Sequence, residues 1–358
     1  MSTVPTPRTG HPFHMHDAIY AQPGALRLVT RGNEAALDAA AARLRNAERV
    51  VVTGIGSSWH AALVAETWLA QTARLGGRVH AVHGFELAAY GPPVDAKTAV
   101  VVVSHGGGSR YLQETLAQAK KAGASVIAVT GKGHDVFAGA DVVVRTVDVE
   151  SSNTHTVGYT TALAMLGQLA AKVGGGELAR AIDGLPDHLA TLLGQESWDD
   201  LVRKYGDKRR FWFLGGGPNR ATAYEAAMKM SEATYANATG YEVEQFLHGL
   251  WAALDANDLV VLVAPPGASH ARLVVAARVA REIGATVLAL AAETDRELGG
   301  LATETIALPD VSEPVSPIAA IIPLQLFTYH LAVARGVNPD TMRTDEAAYA
   351  RARAALSL

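Results

Sequence analysis

The sequence predicts an α/β protein built from two doubly wound domains, each a parallel sheet with helices on both faces. A strand, a small-residue loop and a helix follow one another at Arg49–Ala70 and again at Arg209–Met230. A second unit of strand, loop, helix, turn and strand begins at Thr98 and again at Asp258. Because the repeat period is so long, the pattern indicates two copies of one domain rather than a solenoid of short repeats.

The strands of both copies are unbroken apolar runs rich in valine, which are typical of parallel strands covered on both faces. Helices alternate with them, as the crossover connections of a parallel sheet require. The predicted strands begin at Val50, Ala99, Ser125, Asp141, Phe211, Leu259 and Thr286. The predicted helical segments are Ala35–Asn46, Tyr111–Ala122, a linker over Gly174–Asp200, Ala271–Glu282 and a closing helix over Pro323–Arg335.

These elements divide the chain into four parts. We expect an N-terminal leader and arm over residues 1–34, whose first 14 residues lack the apolar core of a signal peptide and are predicted to be flexible. The first domain is expected over residues 35–190, the second over 191–335, and a C-terminal tail over 336–358.

Composition excludes several classes of function. The net charge is −4 and no basic run occurs, so electrostatics favour neither nucleic acid nor an acidic membrane surface. The absence of cysteine from these 358 residues excludes disulfides, thiolate zinc sites and a cysteine nucleophile. No apolar run reaches the roughly 20 residues that a membrane span needs. We therefore expect a cytoplasmic protein.

The loops after the strands are the candidate binding sites, because ligands of open α/β sheets bind at the carboxyl ends of the strands. The loop Ser104–Ser109 (SHGGGS) combines glycines with hydroxyls and precedes a helix, which favours an anion such as phosphate. Gly54–Ser58 (GIGSS) would supply a second wall. The alternative is that both are ordinary turns in which serine caps a helix. In the second copy Ala264–Ser269 (APPGAS) has two prolines, which lack donors, so we expect no phosphate there.

The helix predicted after the second glycine loop carries the candidate acid–base residues. Glu225, Lys229 and Glu232 are spaced four and three apart and therefore share one helix face. His248 follows in a less regular stretch. Such groups could move a proton between adjacent carbons of a sugar. The alternative is an exposed Glu–Lys pair and a hydrogen-bonded histidine.

At these positions the chain resembles the family of tandem sugar isomerase (SIS) domains, in particular the isomerase half of glucosamine-6-phosphate synthase. The resemblance runs from Met15 to about Arg343 and implies two doubly wound SIS domains, each a parallel five-stranded sheet flanked by helices. The matching segments are HMHDAIYAQP from His14, GSS from Gly56, SHGGGS from Ser104, YEAAMKMSEATY from Tyr224, FLHG from Phe246 and IPLQLFTYHLAVARGVNPD from Ile322.

The resemblance also implies roles. Glu232 would be the base that moves the proton between C1 and C2 of an open-chain sugar phosphate, with Lys229 beside it. His248 would assist ring opening in the neighbouring protomer's site, because dimers of this family share their active sites. The hydroxyls of four serines would hold sugar and phosphate: Ser57, Ser58, Ser104 and Ser109. The expected partners are thus a phosphorylated sugar or amino sugar and a second copy of the chain.

Several residues depart from the family pattern. His105 stands where the family has glutamine, and Gly106 and His155 stand where it has serine. The family's C-terminal lysine would fall near Ala347, and Arg343 is the nearest cation to replace it. We expect His105, His155 and Arg343 to contact the ligand. Neither a metal nor a cofactor is expected, because no carboxylate–histidine spacing supports a metal site.

The leading hypothesis is an enzyme that acts on phosphorylated sugars without a glutaminase domain. It would be an aldose–ketose isomerase, or a deaminase or deglycase of amino-sugar phosphates. The alternative is a non-catalytic SIS protein that binds a phosphosugar for regulation, which the missing lysine and the lost hydroxyls favour. A third possibility is that His105 and His155 adapt the loop to a different anion.

Overall fold

The structure is a computed structural model that describes residues 8–133, 135–195 and 198–356. Two lobes follow one another along the chain. The first contains helices α1 (His14–Leu28), α2 (Glu34–Asn46), α3 (Ser57–Thr67), α4 (Gly84–Ala89), α5 (Arg110–Lys121) and α6 (Val157–Gly174). Its strands are β1 (Arg49–Gly54), β2 (Val79–His83), β3 (Thr98–Ser104), β4 (Ser125–Lys132) and β5 (Val142–Asp148).

Three short helices connect the lobes: α7 (Glu177–Asp183), α8 (Leu185–Leu193) and α9 (Trp198–Tyr205). The second lobe has helices α10 (Asn219–Thr234), α11 (Val243–Leu247), α12 (His270–Ile283), α13 (Arg296–Leu301) and α14 (Ser316–Ala334), and α15 (Ala347–Ala355) lies in the tail. Its strands are β6 (Arg210–Gly215), β7 (Ala238–Glu242), β8 (Asp258–Ala264), β9 (Thr286–Ala292) and β10 (Glu304–Leu308).

Both sheets are parallel, and their strand orders correspond. The first has the order β2-β1-β3-β4-β5, and the second, written from the opposite end, has β7-β6-β8-β9-β10. In each sheet the order therefore reverses between two central strands, β1 and β3 in the first and β6 and β8 in the second. Two parallel five-stranded sheets flanked by helices confirm the predicted fold class.

The central strands lie where the sequence predicts them, and three edge strands are additional. β2, β7 and β10 consist mostly of partly exposed residues and include polar ones, because one side of each edge strand is not fully covered. They therefore lack the continuous apolar run by which the central strands are recognised. The four predicted single helices agree with α2, α5, α12 and the second half of α14, and the predicted linker becomes α7, α8 and α9.

Helix α14 is a core helix between the lobes. By length and composition the segment Glu313–Ala334 could cross a membrane, with a mean hydropathy of 1.5, but 83% of its apolar window is buried inside the protein. It packs against α8, α9 and α10. Its apolar surface is thus satisfied by the protein's own helices.

A turn near the C-terminus fixes the N-terminal arm and one loop of the first lobe. The carboxylate of Asp340 accepts hydrogen bonds from the backbone amides of His14 (2.9 Å) and Met15 (2.8 Å) at the start of α1. The carbonyl of Pro339 accepts a hydrogen bond from the hydroxyl of Thr154 at 2.7 Å. These contacts place the loop before α6.

The prediction of a flexible leader is wrong for the part of it that the structure describes. Phe13 is buried, and its amide donates to the hydroxyl of Tyr329 at 3.1 Å. His11 contacts the same hydroxyl at 2.8 Å, and the carbonyl of Arg8 accepts from the side chain of Asn338. Polar side chains of the closing helix and turn thus order this segment. Residues 1–7 lie outside the described residues.

Candidate functional site

A cavity of about 340 Å³ lies at the carboxyl ends of β1 and β3, where the strand order of the first sheet reverses. Helix α10 of the second lobe closes it from the opposite side. Seven of the predicted site residues line this cavity together: Ser57, Ser58, Ser104, His105, His155, Lys229 and Glu232. The structure therefore brings the glycine loops and the acid–base helix to one place.

Three predicted site residues are not among those that line the cavity. Ser109, the last residue of the glycine loop, is at the N-cap position of α5 and makes no side-chain capping hydrogen bond. His248 is on the surface, with 79% of its side chain exposed, and lies 3.5 Å from Glu244. Arg343 donates two hydrogen bonds to Glu346, and its guanidinium lies 3.9 Å from the ring centroid of Tyr349. Its charge is thus already paired on the tail.

The turn from β1 into α3 depends on glycine. A Cβ on Gly54 would lie 2.4 Å from the backbone of Ser58, which is too close for any side chain. Gly56 has a φ of +61°, a left-handed conformation that favours glycine. The following loop is ordered by Ser104, whose hydroxyl accepts a hydrogen bond from the amide of Gly107 at 3.2 Å. The hydroxyl hydrogen of Ser104 remains available to a ligand.

His105 has a fixed orientation in the cavity wall. Its Nε2 accepts a hydrogen bond from the amide of Glu150 at 3.1 Å, so the proton of the neutral ring is on Nδ1. The ring packs edge-on against His155, with centroids 5.1 Å apart. Ring atoms of His105 lie 2.9 Å from where a Cβ on Gly158 would be. Glycine at the start of α6 therefore makes room for the imidazole.

The first turn of α6 also receives a buried carboxylate. Glu150 accepts hydrogen bonds from the amides of Thr156 and Gly158 at 2.7–3.0 Å, an arrangement that the dipole of a helix N-terminus favours. Burial raises the pKa of Glu150, and the hydrogen bonds from Thr156 and Gly158 and the charge of Lys229 oppose that rise. This residue anchors the loop that carries His155.

His155 is uncharged at neutral pH. Burial lowers its pKa to about 3, and His105 and Lys229 contribute in the same direction. The imidazole of His155 therefore offers a neutral hydrogen-bonding group rather than a positive charge. Lys229 is the cation that lines the cavity among the residues that the structure describes.

The acid–base residues of α10 are buried, in contrast to the exposed Glu–Lys pair that the sequence left open. Glu225 is 0% exposed and Lys229 is 2% exposed. The Nζ of Lys229 lies 2.6 Å from Glu232 and 3.6 Å from Glu225. Burial opposes the charge of Lys229, but Glu232 and Glu225 hold its pKa above the ordinary value. Lys229 thus remains an ammonium.

The two carboxylates beside Lys229 differ in their pKa shifts. Burial raises the pKa of Glu232, and Lys229 compensates only in part. Burial acts on Glu225 in the same sense, but Lys229, His60 and Ser57 together bring the pKa of Glu225 below its ordinary value. Glu232 is therefore the better proton acceptor, and it is the one of the two that lines the cavity.

The sequence analysis did not identify His60, Asn153 or Arg353. His60 on α3 lies 2.7 Å from Glu225. The same carboxylate accepts a hydrogen bond from the hydroxyl of Ser57 at 2.8 Å, although the sequence analysis expected Ser57 to contact the ligand. Arg353 on α15 donates to the side chain of Asn153, which lines the cavity. The available signal for His60 was its position three residues after Ser57, on the same face of a helix.

The second lobe has corresponding loops, and the carboxylate of Glu313 contacts one of them. A Cβ on Gly215 would lie 2.2 Å from the backbone of Asn219, as one on Gly54 would from Ser58, and Gly217 has a φ of +55°. The carboxylate of Glu313 accepts a hydrogen bond from the amide of Ala268 at 3.2 Å. That amide belongs to the proline-containing loop for which no phosphate is expected.

No group of three or more histidine, aspartate or glutamate residues is placed to hold a metal ion within residues 8–133, 135–195 and 198–356.

Comparisons with known proteins agree in family and fold. The family described as SIS domain matches residues 43–172 and 204–335. A glutamine–fructose-6-phosphate aminotransferase [isomerizing] of Thermococcus kodakarensis is 31% identical over 350 residues, which cover 94% of this chain and 58% of that protein. The chain thus spans little more than half the length of this relative.

Two solved structures share the whole fold. The tagatose-6-phosphate ketose/aldose isomerase of Escherichia coli superposes with a TM-score of 0.80 at 20% identity, covering 95% of this chain and 98% of that one. The glucosamine-6-phosphate deaminase of Thermotoga maritima superposes with a TM-score of 0.71 at 19% identity, covering 92% and 97%. At these identities the likeness concerns the fold alone.

Proposed function

The chain belongs to the SIS domain family, and from that premise we propose that it is an enzyme of sugar phosphates. The proposed reaction is aldose–ketose isomerisation, or deamination or deglycation of an amino-sugar phosphate. These reactions share one step, the movement of a proton between C1 and C2 of the open-chain sugar. The names of its relatives include isomerising and deaminating enzymes of this class.

One observation carries the proposal. Glu232, a carboxyl group whose pKa is raised by burial, lines the same cavity as the glycine loop that starts at Ser104. A raised pKa makes a carboxylate a stronger base at neutral pH. An extended sugar phosphate needs two things from the protein: a site that binds its phosphate, which the loop supplies, and a base near C1 and C2, which the opposite wall supplies.

The proposed mechanism assigns the ends of the substrate to the two lobes. The phosphate lies against Ser104, Ser58 and the amides of the glycine loop, which donate hydrogen bonds. Glu232 takes a proton from C1 or C2 and returns it to the neighbouring carbon, so that the carboxylate is regenerated. The ammonium of Lys229 stabilises the negative charge that develops on the enediolate oxygen.

Ring opening and dimerisation are proposed together. His248 is exposed, and the segment that follows it also exposes Trp251, at 42%. We propose that this segment enters the cavity of a second copy, where the imidazole exchanges a proton with the ring oxygen. An isologous dimer would then have two shared sites.

A non-catalytic, regulatory phosphosugar-binding protein is the second candidate. It is favoured by the position of Arg343, whose guanidinium is held by Glu346 and stacked on Tyr349 rather than at the cavity. Such a protein would bind a phosphosugar at the same nest without turnover.

The test separates the two candidates. Fructose 6-phosphate, tagatose 6-phosphate and glucosamine 6-phosphate are added in D2O, and thermal stabilisation and exchange of C1 and C2 protons are measured by NMR. An enzyme exchanges these protons, and Glu232→Gln lowers the rate on the order of 10²–10⁴-fold. The control Glu48→Gln, on an exposed carboxyl far from the cavity, keeps the rate. Stabilisation without exchange favours the regulatory protein, and exchange that survives Glu232→Gln refutes the assignment of the base.

A further inference from the structure

Glu225 is a buried carboxylate, and each of its two oxygens has a hydrogen-bond partner in the first lobe. Its Oε1 accepts the hydroxyl hydrogen of Ser57 at 2.8 Å, and its Oε2 lies 2.7 Å from Nδ1 of His60. Both partners are on α3 of the first lobe, whereas Glu225 is on α10 of the second. A charge at a site with 0% exposure is stable only when such partners compensate for the lost water.

Lys229 lies between two carboxylates but is not shared equally. Its Nζ is 2.6 Å from Glu232, a hydrogen-bonding distance, and 3.6 Å from Glu225, which is beyond one. Both carboxylates are on the same helix, at i−4 and i+3 from the lysine. The difference follows from the other contacts, since Glu225 already has two donors and Glu232 has no other hydrogen bond among those described.

We propose that His60 is a positioning residue for the acid–base pair of Lys229 and Glu232. By donating its Nδ1 hydrogen to Glu225, His60 satisfies that carboxylate and so leaves the ammonium of Lys229 directed at Glu232. His60 does not line the cavity and touches no reacting atom. The inference rests on the proposed role of Glu232 as the base.

The surroundings of His60 allow this role. The ring is 9% exposed and held at the α3–α10 contact. The ionisable groups around it are Glu225 in direct contact, Lys229 and Glu232 further along α10, Tyr224 with a ring centroid 5.9 Å away, and His83. Of these, Glu225 makes the hydrogen bond, so the Nδ1 donor acts on that carboxylate.

Loss of the His60 donor is expected to raise the pKa of Glu232. Without His60, Glu225 lacks a partner on Oε2, and the nearest mobile donor is the ammonium of Lys229. Lys229 then moves toward Glu225 and away from Glu232. Because Lys229 is what restrains the pKa of Glu232 against burial, that pKa rises. Less of the base is ionised on the acidic side of the pH profile.

The experiment compares His60→Leu, which has no donor, with His60→Asn, whose amide nitrogen can replace Nδ1. The rate of C1 and C2 proton exchange is measured against pH for a sugar phosphate that is turned over. We expect His60→Leu to shift the acidic limb of the kcat profile to higher pH by about one unit. At a pH below that limb the rate is then about tenfold lower than in the wild-type protein, whereas KM stays within about twofold of the wild-type value. His60→Asn is expected to keep the wild-type profile. An unchanged limb in His60→Leu, or a shift to lower pH, overturns the proposal.

A second measurement is independent of turnover. The side-chain ¹³Cδ signal of Glu232, assigned by its absence in Glu232→Gln, is followed against pH in the ligand-free protein. Its midpoint is expected to rise in His60→Leu and to stay in His60→Asn. An unmoved midpoint in His60→Leu refutes the positioning role whether or not any sugar reacts. A raised midpoint in a protein that exchanges no sugar proton supports the role of His60 and counts against the proposed function.

Discussion

His105 occupies the space that a side chain on Gly158 would need. Ring atoms of the imidazole lie 2.9 Å from the position of a Cβ on that glycine, and a carboxylate oxygen of Glu150 lies 2.8 Å from it. The ring at 105 and the absence of a side chain at 158 therefore depend on each other.

The first prediction concerns this pair. Gly158→Ala adds a methyl group that displaces either the ring or the carboxylate, and such overpacking costs about 1–3 kcal/mol of unfolding free energy. Urea denaturation measures the loss. Gly24→Ala is the control, because Gly24 lies within α1 with nothing near its Cβ position, and alanine there is expected to stabilise. In the His105→Ala background the added methyl meets only Glu150, so Gly158→Ala should cost less there than in the wild-type chain, and an equal cost in both backgrounds would contradict the explanation.

The second prediction separates two serines that the sequence treats alike. The hydroxyl hydrogen of Ser57 is given to Glu225, whereas the hydroxyl of Ser104 accepts from Gly107 and can donate to a ligand. Ser104→Ala should therefore weaken binding of a sugar phosphate about tenfold, by about 1.4 kcal/mol, as measured by calorimetry. Ser57→Ala should leave affinity within about threefold and lower the unfolding free energy. The reverse ranking of the two affinities would exclude this assignment.

The third prediction concerns the charge of His155. With a pKa of about 3, this ring does not become cationic on mild acidification. The change in sulfate affinity between pH 7.5 and pH 5 should therefore be the same in the wild-type protein and in His155→Gln. A tenfold gain toward pH 5 that His155→Gln abolishes would show that the ring protonates.

The same shift also acts on stability. The folded pKa of His155 is below its ordinary value, so the unfolded chain takes up a proton first as the pH falls through about 6.5. Between that pH and about 3 the wild-type protein loses stability for this reason. His155→Gln should lessen that acid-side loss, as measured by denaturation at each pH.

The fourth prediction concerns Glu225. In the folded chain its pKa is below the ordinary value, because Lys229, His60 and Ser57 outweigh its burial. Its ionised form therefore stabilises the fold above the ordinary carboxyl range, and this contribution is lost as the pH falls through the folded pKa. Glu225→Gln should cost about 3 kcal/mol at pH 7 and flatten the acidic part of the stability curve.

The comparison for this prediction is Glu232→Gln. Burial raises the pKa of Glu232, so its contribution has the opposite sign and is lost as the pH rises through the folded pKa. The free energy of unfolding, measured by denaturation at a series of pH values, should therefore change in opposite directions with pH for the two carboxyl groups. Parallel curves for both variants would mean that the two groups do not differ in environment.

The sequence predicted the sheets and most of the cavity because both depend on local patterns. The valine-rich runs mark the buried central strands, and the glycine–serine loops and the spacing of Lys229 and Glu232 mark the residues that line the cavity. Three of the four edge strands were not recognised, because polar residues interrupt their apolar ones, as in Val79–His83 and Ala238–Glu242.

The contacts between the lobes could not be predicted from those patterns. His60 and Glu225 are 165 positions apart, and only the packing of α3 on α10 brings them to 2.7 Å. The same holds for Arg353 and Asn153, which meet because the tail returns to the first lobe. Arg343 was expected at the ligand because it is the cation nearest to the position of the family's lysine. Its sequence position did not reveal that it pairs with Glu346 instead.

The carboxylate of Glu313 accepts a hydrogen bond from the amide of Ala268, in the loop of the second lobe that corresponds to the glycine loop of the first. A negative charge at this loop repels an incoming anion. The two lobes therefore differ in charge at corresponding loops, and a small anion is expected to partition to the first lobe.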